Sequence, residues 1–170
     1  LKTTLSSPED YEVEVYEKES PFVGFNRMAF RVLSAEGDII DDANLELLPM
    51  MDMPNMKHST PVEQPTYSPE DEAYLGSVTY VMPTTDMAGW SLKVLLQAGS
   101  MNEMDTLNMD PTVKEPEPAR LFRFVDDGTK YFVAHRKPIA PEKGMNPYGL
   151  MIYKRETMMS HPGATGMSVA

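Results

Sequence analysis

The sequence predicts an all-β protein built from Ig-like antiparallel β-sandwiches, and two observations support this fold class. Apolar and polar residues alternate with a period of two through five separate runs, which is typical of strands with one buried and one exposed face. No window of helical length carries an apolar stripe at 3.6-residue spacing together with helix caps. Several short strands separated by turn residues are the pattern of a sandwich.

The five runs follow one another within the first hundred residues. Their alternating apolar positions are Tyr11, Val13 and Val15; Met28, Phe30 and Val32; Leu45 and Leu47; Tyr74, Gly76, Val78, Tyr80 and Met82; and Trp90, Leu92, Val94 and Leu96. Later in the chain, Asp126-Asp127-Gly128 predicts a hairpin turn, because Asp and Gly tolerate positive φ.

An internal repeat predicts the domain organisation. A shift of 120 positions places Pro21 on Pro141, Gly24 on Gly144 and Asn26 on Asn146, and alternating apolar residues follow both copies. We therefore expect a first sandwich domain at residues 1–97, an acidic, proline-containing linker at 98–119 and the N-terminal part of a second, similar domain at 120–170. Since about three strands cannot bury both faces of a sandwich, we also expect the natural chain to continue.

Charge and cysteine content exclude several function classes. The net charge is −11, and residues 1–100 hold 17 acidic and 6 basic side chains, whereas the remainder holds 9 of each. This field repels phosphate backbones, so nucleic acid is not an expected partner. The chain has no cysteine, which excludes disulfides, thiolate metal sites and cysteine nucleophiles.

Motifs such as G-x-S-x-G and H-E-x-x-H are absent, and we expect a protein that is not an enzyme.

One segment concentrates side chains that could bind a metal ion. The chain has 15 methionines, and residues 49–61 read Pro-Met-Met-Asp-Met-Pro-Asn-Met-Lys-His-Ser-Thr-Pro. Thioether sulfur suits Cu(I), and imidazole suits copper or zinc. The candidate copper ligands are Met50, Met51, Met53, Met56 and His58, with Met82 and Met87 as further candidates close to Trp90. If residues 50–56 form one strand, Met51 and Met53 lie on one face and Met50 and Met56 on the other.

A purely structural interpretation stays open beside the copper hypothesis. Methionine is a flexible filler of apolar cores, so Met53 and Met56 could close one end of a sandwich. His58 could equally be a loop histidine that is hydrogen-bonded to backbone.

The order of these motifs resembles the YtkA-like family, which is related to FixH. The resemblance covers residues 10–97 and is carried by Gly24-x-Asn26, Met53-Pro54-x-Met56-x-His58, Tyr74-x-Gly76-x-Val78 and the stretch from Met82 to Gly89-Trp90. It implies a small Ig-like sandwich in an extracytoplasmic protein, periplasmic or at the cell surface, tethered to a membrane by a lipoprotein-type anchor or other segment outside this chain. It also implies a link to copper handling or to the assembly of respiratory oxidases.

Two functions of different kinds follow from these observations. The leading hypothesis is a non-enzymatic extracytoplasmic binding module that handles Cu(I) through the Met/His segment. The alternative is a structural or adhesive surface protein whose repeated Ig-like domains contact protein partners.

Overall fold

Every regular element in the computed structural model, which describes residues 1–99, 101–137 and 142–164, is a β-strand. The strands are β1 (Lys2–Ser6), β2 (Glu12–Glu17), β3 (Gly24–Leu33), β4 (Asn44–Met53), β5 (Met56–His58), β6 (Val62–Ser68), β7 (Ala73–Tyr80), β8 (Gly89–Gln97), β9 (Asp105–Met109), β10 (Leu121–Asp126), β11 (Thr129–Lys137) and β12 (Gly149–Arg155). Within these residues, no helix long and apolar enough to cross a membrane is present.

Two antiparallel sheets form the first sandwich. One sheet has the strand order β1-β2-β3-β7-β6 and the other has the order β5-β4-β8-β9. Their facing residues make one apolar core, whose fully buried members include Val13, Phe30, Leu47, Leu92 and Val94. The prediction of an all-β, Ig-like antiparallel sandwich is confirmed.

The five alternating runs of the sequence form strands β2, β3, β4, β7 and β8. In β8, for example, Trp90, Leu92, Val94 and Leu96 are buried, whereas the intervening Lys93 is exposed. A strand turns successive side chains to opposite faces, so most of the apolar positions with a period of two are buried in the core.

The segment interpreted as a linker, residues 98–119, contains strand β9. Leu95 lies opposite Thr106 in the β8–β9 register, and Leu107 beside it is buried. The Ser7 hydroxyl donates a hydrogen bond to the Asp105 carboxylate, and Val113 is also buried. Strand β9 therefore forms one edge of the four-stranded sheet. A short edge strand needs few apolar side chains, so it can form in a segment that is mostly acidic and polar.

The repeated motif adopts the same local structure in both copies. The Asn26 side-chain amide donates to the Phe22 and Gly24 carbonyls, and its oxygen accepts from the Phe22 N–H. The Asn146 side chain makes the equivalent three bonds with Glu142 and Gly144. Gly24 and Gly144 have φ of 138° and 121°, a region that favours glycine. Pro141 lies outside the described residues.

The second copy forms a three-stranded sheet, β10-β11-β12, that packs on the first sandwich. The predicted hairpin turn joins β10 and β11, with Asp127 at φ 44° and Gly128 at φ 74°. Leu121, Phe132, Ala134 and Tyr153 belong to the same apolar cluster as the core of the first sandwich. The Arg123 guanidinium also donates a hydrogen bond to the Val81 carbonyl.

The second sheet uses the opposite face from its counterpart. In the first copy, Val13, Val15, Phe30 and Val32 are buried in the sandwich core. Their equivalents, Val133, His135, Leu150 and Ile152, are only half-buried, while Phe132 and Ala134 on the other face are buried. Phe132 and Ala134 stand where the first copy has Glu12 and Glu14, so apolar side chains replace the outward carboxylates on the face that makes the contact.

Candidate metal centre

A tight hairpin presents the Met/His segment. Strands β4 and β5 pair through a two-residue turn at Pro54-Asn55, with Met53 opposite Met56 and Met51 opposite His58. Directly opposed residues of an antiparallel pair share a face, so all four side chains lie on one side of the hairpin. The predicted placement of Met56 with Met50, on the face away from Met51 and Met53, is wrong, because the chain reverses at the turn.

The other face of the hairpin is polar. The Lys57 ammonium lies 2.8 Å from the Asp52 carboxylate, and both side chains are exposed. Met50 shares this side by strand alternation and is half-buried. The hairpin is therefore amphipathic, with its sulfur-bearing face turned toward the end of the sandwich.

His58 is held in a defined tautomer and orientation. Its side chain is buried, with 6% of its surface exposed, and Nδ1 lies 2.7 Å from the Ser59 carbonyl oxygen. A carbonyl only accepts, so Nδ1 carries the proton and donates it. In the neutral ring Nε2 therefore bears a lone pair, which is the arrangement of metal-binding histidines whose other ring nitrogen is anchored by backbone.

The lone pair of His58 faces a thioether. His58 Nε2 lies 3.2 Å from the Met82 Sδ, on the segment that follows β7. With Nε2 unprotonated, no proton lies between the two atoms, and two electron-pair donors face each other. Metal–nitrogen and metal–sulfur bonds of about 2.0 and 2.3 Å place such atoms about 3–3.7 Å apart when one metal ion binds both.

Trp90 and Tyr80 support this pair. The Trp90 indole N–H donates to the Met82 carbonyl at 2.9 Å, and the indole ring contacts the His58 ring edge-on with centroids 5.5 Å apart. The Tyr80 ring packs against Trp90 at 5.1 Å. The aromatic residues thus position both the imidazole and the methionine, because edge-to-face packing has a defined geometry.

The structure separates the predicted ligands into groups. His58 and Met82 face each other directly. Met51 is fully buried, lies opposite His58 in one register and opposite Trp90 in the other, and packs in the core. Met53 is half-buried, and Met56 is 51% exposed at the hairpin tip. Met87 is 73% exposed in the turn between Thr85 and Ala88, and neither it nor Met50 lines the chamber beside His58.

A chamber of about 400 Å³ opens beside the His58–Met82 pair, between the first sandwich and the second sheet. The second copy contributes Met158 and His161 to its lining, and the Ser59 N–H donates to the Met158 carbonyl at 2.9 Å. Sequence reasoning missed both residues, because they lie a hundred positions from His58 and no local spacing links them. The only signal was that Met158 and His161 fall in the second copy of the repeat.

His161 has an unusual environment. Its Nδ1 is buried without a hydrogen-bond partner. Burial, the nearby His58 and Arg155 together lower the pKa of His161 to about 4. The ring is therefore neutral at physiological pH and keeps a lone pair on one nitrogen.

The charge around the chamber is positive. Arg123, Lys130 and Arg155 line it, and its described lining includes no carboxylate. The electrostatic cost of placing a cation here rises with the charge of the ion. Among the described residues no three His, Cys, Asp or Glu side chains cluster as a metal site. The soft and borderline donors that line the chamber are two imidazoles, His58 and His161, and two thioethers, Met82 and Met158.

Comparison with known proteins identifies the first part of the chain. No curated protein and no solved structure matches it significantly. The model of the YtkA-like family matches residues 6–85, which run from the end of β1 to the segment after β7 and include His58 and Met82. Residues 6–85 are therefore similar to YtkA-like domains.

Proposed function

We propose that the protein is a non-enzymatic extracytoplasmic module that binds Cu(I), with His58 Nε2 and Met82 Sδ as ligands. One observation supports the proposal: His58 Nε2 and Met82 Sδ lie 3.2 Å apart, and because Nδ1 donates to the Ser59 carbonyl, the neutral ring turns its lone pair toward the sulfur. The family supports the location, since YtkA-like domains are generally extracytoplasmic.

The chemistry of the donors favours Cu(I) over other metal ions. Thioether and imidazole are soft and borderline ligands, whereas Zn(II) prefers thiolate, imidazole and carboxylate. The cationic lining adds to this preference, because it opposes a divalent ion about twice as strongly as a monovalent one. A proton competes with the metal for His58 Nε2, so the affinity for Cu(I) falls in acid.

The test is a titration of the reduced protein with Cu(I) against a chromophoric chelator, under anaerobic conditions. We expect one Cu(I) per chain in the wild type and an affinity about tenfold or more weaker in Met82→Leu and His58→Gln. Leucine keeps the volume of methionine, so Met82→Leu removes the sulfur with little effect on packing. Met87→Leu is the matched control and keeps the wild-type affinity, because Met87 is exposed in a turn.

Two outcomes would refute the proposal. One is a wild-type protein that does not compete with the chelator. The other is unchanged affinity in both Met82→Leu and His58→Gln when circular dichroism shows that the variants fold. Zn(II) that binds as tightly as Cu(I) would contradict the proposed selectivity.

A role in protein–protein contact is the second candidate function. It is favoured by strand β10 at the edge of the second sheet, where Phe122, Phe124 and Val125 are 58%, 40% and 63% exposed. Exposed apolar side chains on an edge strand mark a surface that other chains can cover. In that case Phe122→Ser abolishes partner binding and leaves the Cu(I) titration unchanged, because Phe122 does not line the chamber beside His58.

A further inference from the structure

The turn that follows β12 brings two further soft donors to the His58–Met82 pair. Met158 and His161 line the same chamber as these residues. The Ser59 N–H, one residue after His58, bonds the Met158 carbonyl at 2.9 Å, and the Thr79 hydroxyl donates to the Tyr153 hydroxyl at 3.3 Å. The second copy is thus attached to the first beside the candidate metal centre.

His161 has a nitrogen that nothing in the described protein uses. Phe132 contacts the imidazole, with ring centroids 5.9 Å apart, and Nδ1 is buried without a partner. A buried polar atom without a hydrogen bond destabilises the folded state by about 1–3 kcal/mol, so such atoms are rare. A ligand that reaches this nitrogen would remove that cost.

We propose that His161 and Met158 complete the copper site, so that one Cu(I) ion is bound by imidazole and thioether groups from both copies of the repeat. This inference rests on the Cu(I)-binding function proposed above and adds the second copy as a source of ligands. The completed set, with His58 and Met82, has two nitrogens and two sulfurs, all neutral. It is suited to Cu(I), and the bound ion holds the second sheet against the first sandwich.

The experiment uses the full chain and three variants: His161→Gln, Met158→Leu and His135→Gln. His135 is the matched control, because it is a histidine of the second copy that lines a different groove, beside Tyr148. We expect His161→Gln to weaken Cu(I) binding about tenfold or more, Met158→Leu to weaken it less, and His135→Gln to leave it unchanged. X-ray absorption of the Cu(I) form counts the ligands, and one nitrogen is lost in His161→Gln.

Hydrogen exchange gives a readout that does not depend on affinity. Saturating Cu(I) slows the exchange of backbone amides in β12 of the wild type, because the ion joins β12's turn to the first sandwich. In His161→Gln, saturating Cu(I) no longer slows exchange there.

The outcomes separate this inference from the proposed function. If the wild type binds no Cu(I), the proposed function is wrong and this inference falls with it. If the wild type binds Cu(I) but His161→Gln and Met158→Leu keep its affinity, nitrogen count and exchange pattern, only this inference is overturned, and the site belongs to the first domain alone.

Discussion

The asparagine of the repeated motif allows a quantitative test, because its two copies make the same hydrogen bonds but differ in burial. Asn26 is 6% exposed and makes three side-chain bonds to the backbone of Phe22 and Gly24, at 2.7–3.0 Å. Asn146 makes the equivalent three bonds at 2.8–3.1 Å, but it is only half-buried, and its partners Glu142 and Gly144 are exposed. Replacing each by alanine removes the same bonds in two different environments.

The expected magnitudes follow from that difference. Each bond contributes about 0.5–1.5 kcal/mol net, and the Phe22 N–H and the two carbonyls are left in a buried loop by Asn26→Ala, so the free energy of unfolding falls by about 2–4 kcal/mol. In Asn146→Ala the freed backbone groups bond to water instead, and the loss stays below about 1 kcal/mol.

Urea denaturation measures both variants, followed by Trp90 fluorescence for the first domain and by far-UV circular dichroism for the whole chain. Trp90 is the single tryptophan and lies 3% exposed in the first sandwich, so the signal reports the unfolding of that domain. Two results would refute the argument that burial determines how much these bonds stabilise the protein. One is an equal loss of unfolding free energy in the two variants, and the other is a loss under about 1 kcal/mol for Asn26→Ala.

Three further predictions concern the stability of the described structure. Tyr80→Phe leaves the midpoint of urea denaturation unchanged or raises it, because the Tyr80 hydroxyl is buried without a hydrogen-bond partner. Tyr74→Phe, in contrast, lowers the free energy of unfolding by about 1–2 kcal/mol. The Tyr74 hydroxyl accepts a hydrogen bond from the Ala43 N–H and donates one to the Ile40 carbonyl, and phenylalanine removes both. Met51→Ala lowers the free energy of unfolding by about 2–5 kcal/mol, since Met51 is fully buried, and an unchanged midpoint would show that the core collapses onto the cavity. The third prediction concerns His161, whose pKa is lowered from 6.5 to about 4, mainly by burial and then by His58 and Arg155. As the pH drops, the unfolded chain therefore takes up a proton at His161 before the folded chain does. The free energy of unfolding consequently falls between pH 6.5 and pH 4. This loss of stability is about 1–2 kcal/mol after solvent screening. Urea denaturation at a series of pH values is expected to show a flatter pH dependence of stability for His161→Gln than for the wild type. Parallel curves would contradict the lowered pKa of His161.

Alternation was sufficient to predict five of the nine strands of the first sandwich, β2, β3, β4, β7 and β8, because their apolar positions repeat with the period of two that turns one face to the core. The same reasoning could not place Met56, since the Pro54-Asn55 turn reverses the chain within what reads as one methionine-rich run. Strand β9 was also missed, because its only buried side chain is Leu107 and a single apolar residue has no period.

The candidate site was predictable only in part, for a similar physical reason. The composition of residues 49–61 indicated His58, and the Met-to-Trp stretch indicated Met82, but tertiary packing decides which sulfur faces the imidazole. Met51 has the same chemistry as Met82 and packs in the core instead, because strand alternation turns it inward opposite Trp90. His161 depends on contact between two distant parts of the chain, which no local pattern encodes.

That contact nevertheless has a cause in the sequence. Where the first copy carries Glu12 and Glu14 on the face away from its core, the second carries Phe132 and Ala134, so the second sheet is apolar on a face where its counterpart is charged. Burying one large apolar side chain such as Phe132 contributes about 1.5–3 kcal/mol, whereas a carboxylate at the same place would oppose the contact. Because these two positions are apolar in the second copy, its sheet packs against the first sandwich and lines one side of the chamber. This packing also places β12, and with it Met158 and His161, beside His58.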